Sequence, residues 1–239
     1  MEFCGVSAGH GLEDSAVNFV KTILGVSALC LLPLQASADV IINNATLGLY
    51  NSGLGDLQAM DGPAGFLRGP NGSDGDPTTV LGSDPNFPFT AAFGTNWLGG
   101  NYSGGAWSAV PVAIPAVWTI NTETAIVYDF NLATASSLHL DLGVDNGIVV
   151  WLDGIFLFGA TAPGLASIDE YNADVASLSA GAHALQILRA DHGGVQNYLI
   201  SVDAEPLPVP VPEPSSLLLS AVALAGLRLI RRRKAPTPR

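Results

Sequence analysis

The sequence predicts an all-β chain folded as an antiparallel β-sandwich, on three observations. Its 239 residues include 27 glycines and 16 prolines, and only 13% of residues are charged. Turns joining short strands give that mix. In the second half, apolar and polar residues alternate with the period of two of a half-buried strand. Turn signals there recur about every 8–12 residues, the spacing of sandwich strands. A hydrophobic content of 48% is enough to bury a core and argues against disorder.

The first element is an export signal over residues 1–38. Lys21 precedes an apolar run from Ile23 to Leu32, and Ala36-Ser37-Ala38 supplies small residues at the cleavage positions. This is the layout of a secretory signal peptide cut after Ala38, so the Sec translocon and signal peptidase are expected partners. The run is too short to span a bilayer. Glu2, Glu13 and Asp14 do not suit a basic leader, so translation is expected to start near Val17. Cys4 and Cys30 both precede the cut. The mature chain then has neither disulfides nor thiolate chemistry. Leu29 stands before Cys30, where a lipid-bearing cysteine would follow a small residue.

Residues 39–205 are predicted to be the sandwich domain. Val40–Leu49 reads as a first strand. Gly69–Pro77 (GPNGSDGDP) is a turn-dense segment in which Asp74 and Asp76 alternate with small residues. It fits either a Ca2+ site or a solvated loop held by Asx-turns. Gly94–Trp107 sets Trp97, Tyr102 and Trp107 among glycines. Exposed, these rings would stack on sugars; otherwise at least two of them cover the core. Val117–Leu132 holds one or two strands. In Ser137–Val144, Leu138, Leu140 and Leu142 alternate with His139 and Asp141. Asp145-Asn146-Gly147 and Asp153-Gly154 carry hairpin-turn chemistry, flanking IVVWL and followed by IFLF. Tyr171–Leu178, His183–Ala190 and Gln196–Ala204 supply three more strands.

The charge is uneven. Between Asp39 and Pro214 lie 18 of the 21 Asp and Glu, but only Arg68 and Arg189 of the nine Lys and Arg, a formal charge of −16. Such a surface repels phosphate backbones and excludes nucleic acid as a partner. It suits solubility or attraction of Ca2+.

The chain closes in three parts. Residues 206–216 form a Pro-rich linker containing Pro212-Glu213-Pro214. Residues 217–230 give roughly 21 Å of helix, a marginal transmembrane span that Arg228 and Arg231 lengthen by snorkelling. Residues 231–239 begin with Arg231-Arg232-Arg233-Lys234, a basic stop that stays cytoplasmic. This order resembles the PEP-CTERM sorting signal of Gram-negative bacteria. The resemblance implies cutting near the triplet by an exosortase, a membrane-embedded cysteine protease. It also implies transient anchorage in the inner membrane, then release to the cell surface or an exopolysaccharide matrix.

A second resemblance covers Ser137–Ala204. VDNGIVVWLDGIFL followed by LSAGAHALQILRADHGGVQNYLISVDA is similar to the late hairpins of galactose-binding-like and protective-antigen-type jelly-roll modules, which implies a jelly-roll-like sandwich. In the lectin-type members, paired loop aspartates hold Ca2+ against sugar hydroxyls. Here Asp145 takes the first position and Asn146 stands at the second.

Catalytic motifs are missing. After the cut at Ala38 no G-x-S-x-G or H-E-x-x-H pattern occurs, and Asp191-His192 and Asp169-Glu170 read as solvated turns. The expected function is therefore a non-catalytic, exported surface or matrix protein that binds carbohydrate or mediates adhesion. A secreted glycan-acting hydrolase, using two carboxylates that converge in a cleft, and a ligand-free structural surface protein remain the alternatives.

Overall fold

The computed structural model describes residues 37–57, 79–85, 96–102, 106–162, 165–191, 193–194 and 196–208, together with 220 and 224. Ten strands run in chain order: β1 (Asp39–Asn43), β2 (Leu47–Asn51), β3 (Thr79–Val80), β4 (Val112–Ala113), β5 (Glu123–Leu132), β6 (Ser136–Leu152), β7 (Ile155–Ala162), β8 (Tyr171–Leu178), β9 (Gly181–Ala190) and β10 (Asn197–Pro206). All pairings are antiparallel. The predicted all-β sandwich is the fold observed.

The two layers share β6. Its first part, Ser136–Asp145, pairs with β10 on one side and β8 on the other, and β1 flanks β10. Its second part, Asn146–Leu152, pairs with β7 and β9 in the other layer, which continues through β5 and β2 to β4. The strand thus changes sheets between Asp145 and Asn146, whose peptide bond is cis. The hairpin predicted at Asp145-Asn146-Gly147 is corrected here: the chain does reverse direction, but as a corner between the two sheets rather than a hairpin within one. Turn chemistry was read correctly at Asp153-Gly154, where φ angles of 52° and 76° close the β6–β7 hairpin.

Sequence pattern follows sheet environment. The β10–β6–β8 layer has one solvated face. Along the first half of β6, Leu138, Leu140 and Leu142 are buried while His139 is exposed and Asp141 half-buried. The other layer is covered on both faces, so its strands read as unbroken apolar runs. Ile126, Tyr128, Ile148, Val150, Leu185 and Ile187 face the sandwich interior. Ala125, Val127, Val149, Trp151, Leu188 and Ala190 face outward into a second apolar cluster with Leu54, Leu57 and Trp97. Fully burying one such Leu or Ile contributes about 1.5–3 kcal/mol.

Two further boundaries differ from expectation. The first predicted strand is two, since Asn43 Oδ1 accepts the Ala45 N–H and breaks the run into a turn. The strand within Val117–Leu132 begins only at Glu123, because residues 117–122 form a loop in which Trp118 Nε1 donates to Thr122 O at 2.9 Å.

The register defines two ends. β10 starts with Asn197 opposite Asp145 and finishes with Pro206 opposite Ser136, a span of about 30 Å. At the first end, β5, β8 and β10 begin, and β7 and β9 finish; we call it the loop pole. The second, the exit pole, carries the short turns 133–135, 153–154 and 179–180, and there the described chain leaves the sheet.

Candidate functional site

The loop pole holds an unusual set of buried polar groups. Asp145 and Asn146 are 4% and 5% exposed, Asp191 is 0% and Gln196 is 8%. Asn146 Nδ2 donates to Asp145 Oδ1 at 2.7 Å. The Asp191 carboxylate accepts the Asn121 N–H at 3.2 Å, the Gly193 N–H at 3.2 Å and Gln196 Nε2 at 3.4 Å. One side chain thereby fastens the 117–122 loop to the 191–196 connection. A Cβ built at Gly193 would lie 3.4 Å from Asn146 Oδ1 and 3.6 Å from Asp191 Oδ1. The sheet crossing and the end of β9 therefore converge on one spot.

Beneath it lies Arg189, 0% exposed. Period-two alternation puts it on the inward face with Leu185 and Ile187. Its guanidinium donates to Thr124 Oγ1 at 3.0 Å, Pro115 O at 2.8 Å and the Tyr50 hydroxyl at 3.4 Å. Its Cζ lies 4.2 Å from the Trp118 ring centroid and 4.7 Å from that of Tyr198. Burial lowers its pKa, and the surrounding Tyr50, Tyr198 and Tyr128 oppose that shift. Burial also raises the Tyr198 hydroxyl well above its ordinary value, which keeps it neutral. The cation is thus held by rings and neutral oxygens rather than by a paired carboxylate.

The third loop is fixed as firmly. Glu170 Oε2 accepts the Val144 N–H at 3.1 Å, and a Cβ at Gly143 would strike the Ser167 carbonyl oxygen. Burial pushes the Glu170 carboxyl up, partly offset by that N–H. On this polar frame the loops expose aliphatic side chains: Val117, Ile120, Leu165 and Ile168. Asn121 and Asp169 are exposed beside them.

The residues singled out in the sequence are scattered. Trp97 is 6% exposed. Its ring centroid lies 5.6 Å from that of Trp151 and 5.9 Å from that of Trp107, and Tyr102 follows at 5.4 Å from Trp107. Trp107 and Tyr102 are half-buried. The reading of Trp97 as a sugar-stacking platform is corrected: this row covers the outer core, because the outward face of the second sheet has to be roofed. Burial, then Asp129, raise the Tyr102 hydroxyl. Asp145 is the one proposed metal ligand at the loop pole; Asp74 and Asp76 lie outside the described residues. So do Ala36, the Pro212-Glu213-Pro214 triplet, the Arg231–Lys234 cluster and His192, while Ala38 is exposed just ahead of β1. Asp141 sits four residues along β6 from Asp145, and Asp153 sits at the exit pole, so these acids do not form one cleft.

A Ca2+ ion takes six to eight oxygens. At this pole the Asp191 oxygens already accept three N–H bonds and Asp145 accepts one. Among the described residues, no three His, Cys, Asp or Glu side chains are grouped to hold a metal. The arrangement is a hydrogen-bonded frame and does not fit a cage for the ion.

Two histidine clamps escaped the sequence reading. His139 Nδ1 lies 2.7 Å from Asp174 Oδ1 and Nε2 lies 3.0 Å from Asp141 Oδ1, on the solvated face of β6 and β8. The Asp174 bond is the main cause that raises its pKa. His183 bridges Asp153 Oδ2 at 2.7 Å and Ser179 O at 2.8 Å. Both clamps pair residues far apart in sequence, and only strand register brings them together.

Among the described residues no helix is long and apolar enough to cross a membrane. The predicted span at 217–230 lies outside them except for Ser220 and Leu224, both helical. A search of curated protein sequences finds no match. Among solved structures, the chain is similar to the CBM36-1 domain of a multidomain xylanase from the hindgut metagenome of Trinervitermes trinervoides, at 11% identity and TM-score 0.25, over 36% of this chain and 73% of that one. It is similar to a PA14 sugar-binding domain from an RTX adhesin, at 15% identity and TM-score 0.32, over 67% of this chain and 91% of that one. It is also similar to the PA14 domain of the antifreeze protein MpAFP, at 17% identity and TM-score 0.27, over 72% and 86% of the respective chains. Residues 210–234 match the PEP-CTERM protein-sorting motif. The chain therefore carries a sorting signal of that class, the mark of an exported protein trafficked through the membrane toward the cell surface.

Proposed function

We propose that this is a non-catalytic surface module that binds polysaccharide through its loop pole. An exosortase cuts its tail near Pro212-Glu213-Pro214 and releases it to the cell surface or an exopolysaccharide matrix. The observation that carries the reading is the pairing of a buried polar frame with exposed aliphatic loop tips. Burying Asp145, Asn146, Asp191 and Gln196 is costly compared with an apolar core. That cost is understandable where loops have to be held in one conformation before a ligand arrives. Sugar C–H faces would pack on Ile120 and Leu165, while Asn121 and Asp169 take hydroxyl hydrogen bonds. With two arginines against 18 acids between Asp39 and Pro214, neutral glycans are the preferred class.

The test is binding of the purified protein to a glycan array and to native exopolysaccharide, with Ca2+ and with EGTA. Binding that weakens in Ile120→Asp and Leu165→Asp supports the proposal, and the EGTA arm decides whether a cation is recruited. No binding under either condition sinks it and leaves a ligand-free surface protein. Turnover of the bound glycan would instead favour a hydrolase.

A further inference from the structure

The tail leaves the domain at a defined place. β10 ends at Pro206, and the Leu207 N–H is hydrogen-bonded to Ala135 O at 2.8 Å, against the turn that joins β5 to β6. Asp39, the first residue of β1, pairs with Ala204 at the same end. From Leu207 to Pro212 there are five residue steps, at most about 18 Å of extended chain. Any enzyme that cuts near the triplet in the folded protein therefore works within that distance of the exit pole.

The exit pole is built of short turns. Its turns at 133–135 and 179–180 contain only Ala, Thr and Ser, all exposed. In the third turn, Asp153 is bonded to His183 and to the Ala184 N–H at 2.8 Å. Among the described residues, the exposed acids near these turns are Asp39, Asp129, Asp153 and Glu205. Two of the three turn tips are thus small and uncharged at the end from which the tail departs.

We propose that the exit pole is the surface that docks against the membrane-embedded protease that processes the tail. Cleavage then occurs on the folded domain, with the loop pole held about 30 Å farther from the bilayer. Close approach to a protease seated among anionic headgroups favours small, neutral turns, since like charges brought together cost affinity. The inference rests on the exosortase reading given above. It adds which surface that partner meets.

The experiment uses the full chain expressed in a host with the sorting machinery, with tail removal followed by pulse-chase and a size shift. One variant carries Ala135→Glu and Ala180→Glu at the exit pole; a second carries Ile120→Glu and Leu165→Glu at the loop pole. Urea midpoints of the released forms check that both fold. The proposal expects cleavage slowed about tenfold in the first variant and changed less than about twofold in the second. A ten-residue Gly/Ser insertion after Pro208 is expected to restore the rate of the first, because it relieves the approach. Equal rates in the two variants overturn the docking surface while leaving exosortase processing intact. If the unaltered chain is not cut in such a host, the docking proposal and the exosortase reading fall together. Glycan binding by the loop pole is scored separately in either case.

Discussion

The two poles of the sandwich are built on opposite principles. At the loop pole, charged and amide groups lie inside and aliphatic side chains lie outside. Arg189, Asp145 and Asp191 are buried, while Ile120 and Leu165 face solvent. At the exit pole, two small neutral turns lie outside, and a clamp of His183 with the exposed Asp153 ties two turns together. Burying polar groups costs stability unless every donor and acceptor is met. At the loop pole Asp191 meets three backbone and amide donors from two loops, so those loops have little freedom. The exit pole depends on short turns and needs no such network. What differs is where the fold spends rigidity: on the end that would meet a ligand, not on the end that would meet the membrane.

Perturbing each pole tests that contrast. The largest effect is expected from Arg189→Ala, which removes three hydrogen bonds and the contact with Trp118 and leaves a cavity. It should cost about 4 kcal/mol in urea unfolding, whereas Ala180→Glu at the exit pole should stay within about 0.5 kcal/mol. Next, Asp191→Ala strands the donors of Asn121, Gly193 and Gln196. It should cost about 2–3 kcal/mol and speed hydrogen exchange in both 117–122 and 191–196. Exchange at 179–180 should not change. Gly143→Ala forces a methyl group against the Ser167 carbonyl, with an expected loss of about 1–2 kcal/mol.

The smallest effect concerns pH at the exit pole. Burial pulls the His183 pKa down, but Asp153 and the Ser179 carbonyl outweigh it, and the net shift is upward. A raised folded pKa adds stability that is fully present below the unfolded value of about 6.5 and lost as pH rises through the folded value. Thermal unfolding across pH 5 to 9 should therefore show this contribution in the native chain. Asp153→Asn should flatten it while leaving an oxygen to accept the Ala184 N–H. An identical pH profile in the variant would remove His183 from the account.

Much of the fold was legible because one sheet face is solvated. The alternation of Leu138, Leu140 and Leu142 with His139 and Asp141 put β6 in place, and Asp153-Gly154 marked its hairpin. The turn read at Asp145-Asn146-Gly147 is a reversal between sheets and not a hairpin within one. Local turn chemistry suits either kind of reversal, and only pairing with β10 and then β9 shows which. The aromatic cluster was legible as roof or platform but not as one of the two, since the unbroken run IVVWL marks a sheet buried on both faces without showing which segment covers the outer one. Arg189 carried a usable signal: it continues the inward alternation of Leu185 and Ile187. A lone arginine on an apolar face, in a region with one other arginine, is a buried strut. The three N–H partners of Asp191 had no signal, because one lies 70 residues away.

The most direct measurement is a hydrogen-exchange footprint of the purified protein with and without the polysaccharide it is found to bind. Slowed exchange confined to residues 114–122, 165–170 and 191–197 is the predicted result. Protection centred on Trp97, Tyr102 and Trp107, with the loop pole unchanged, would contradict the placement of the site.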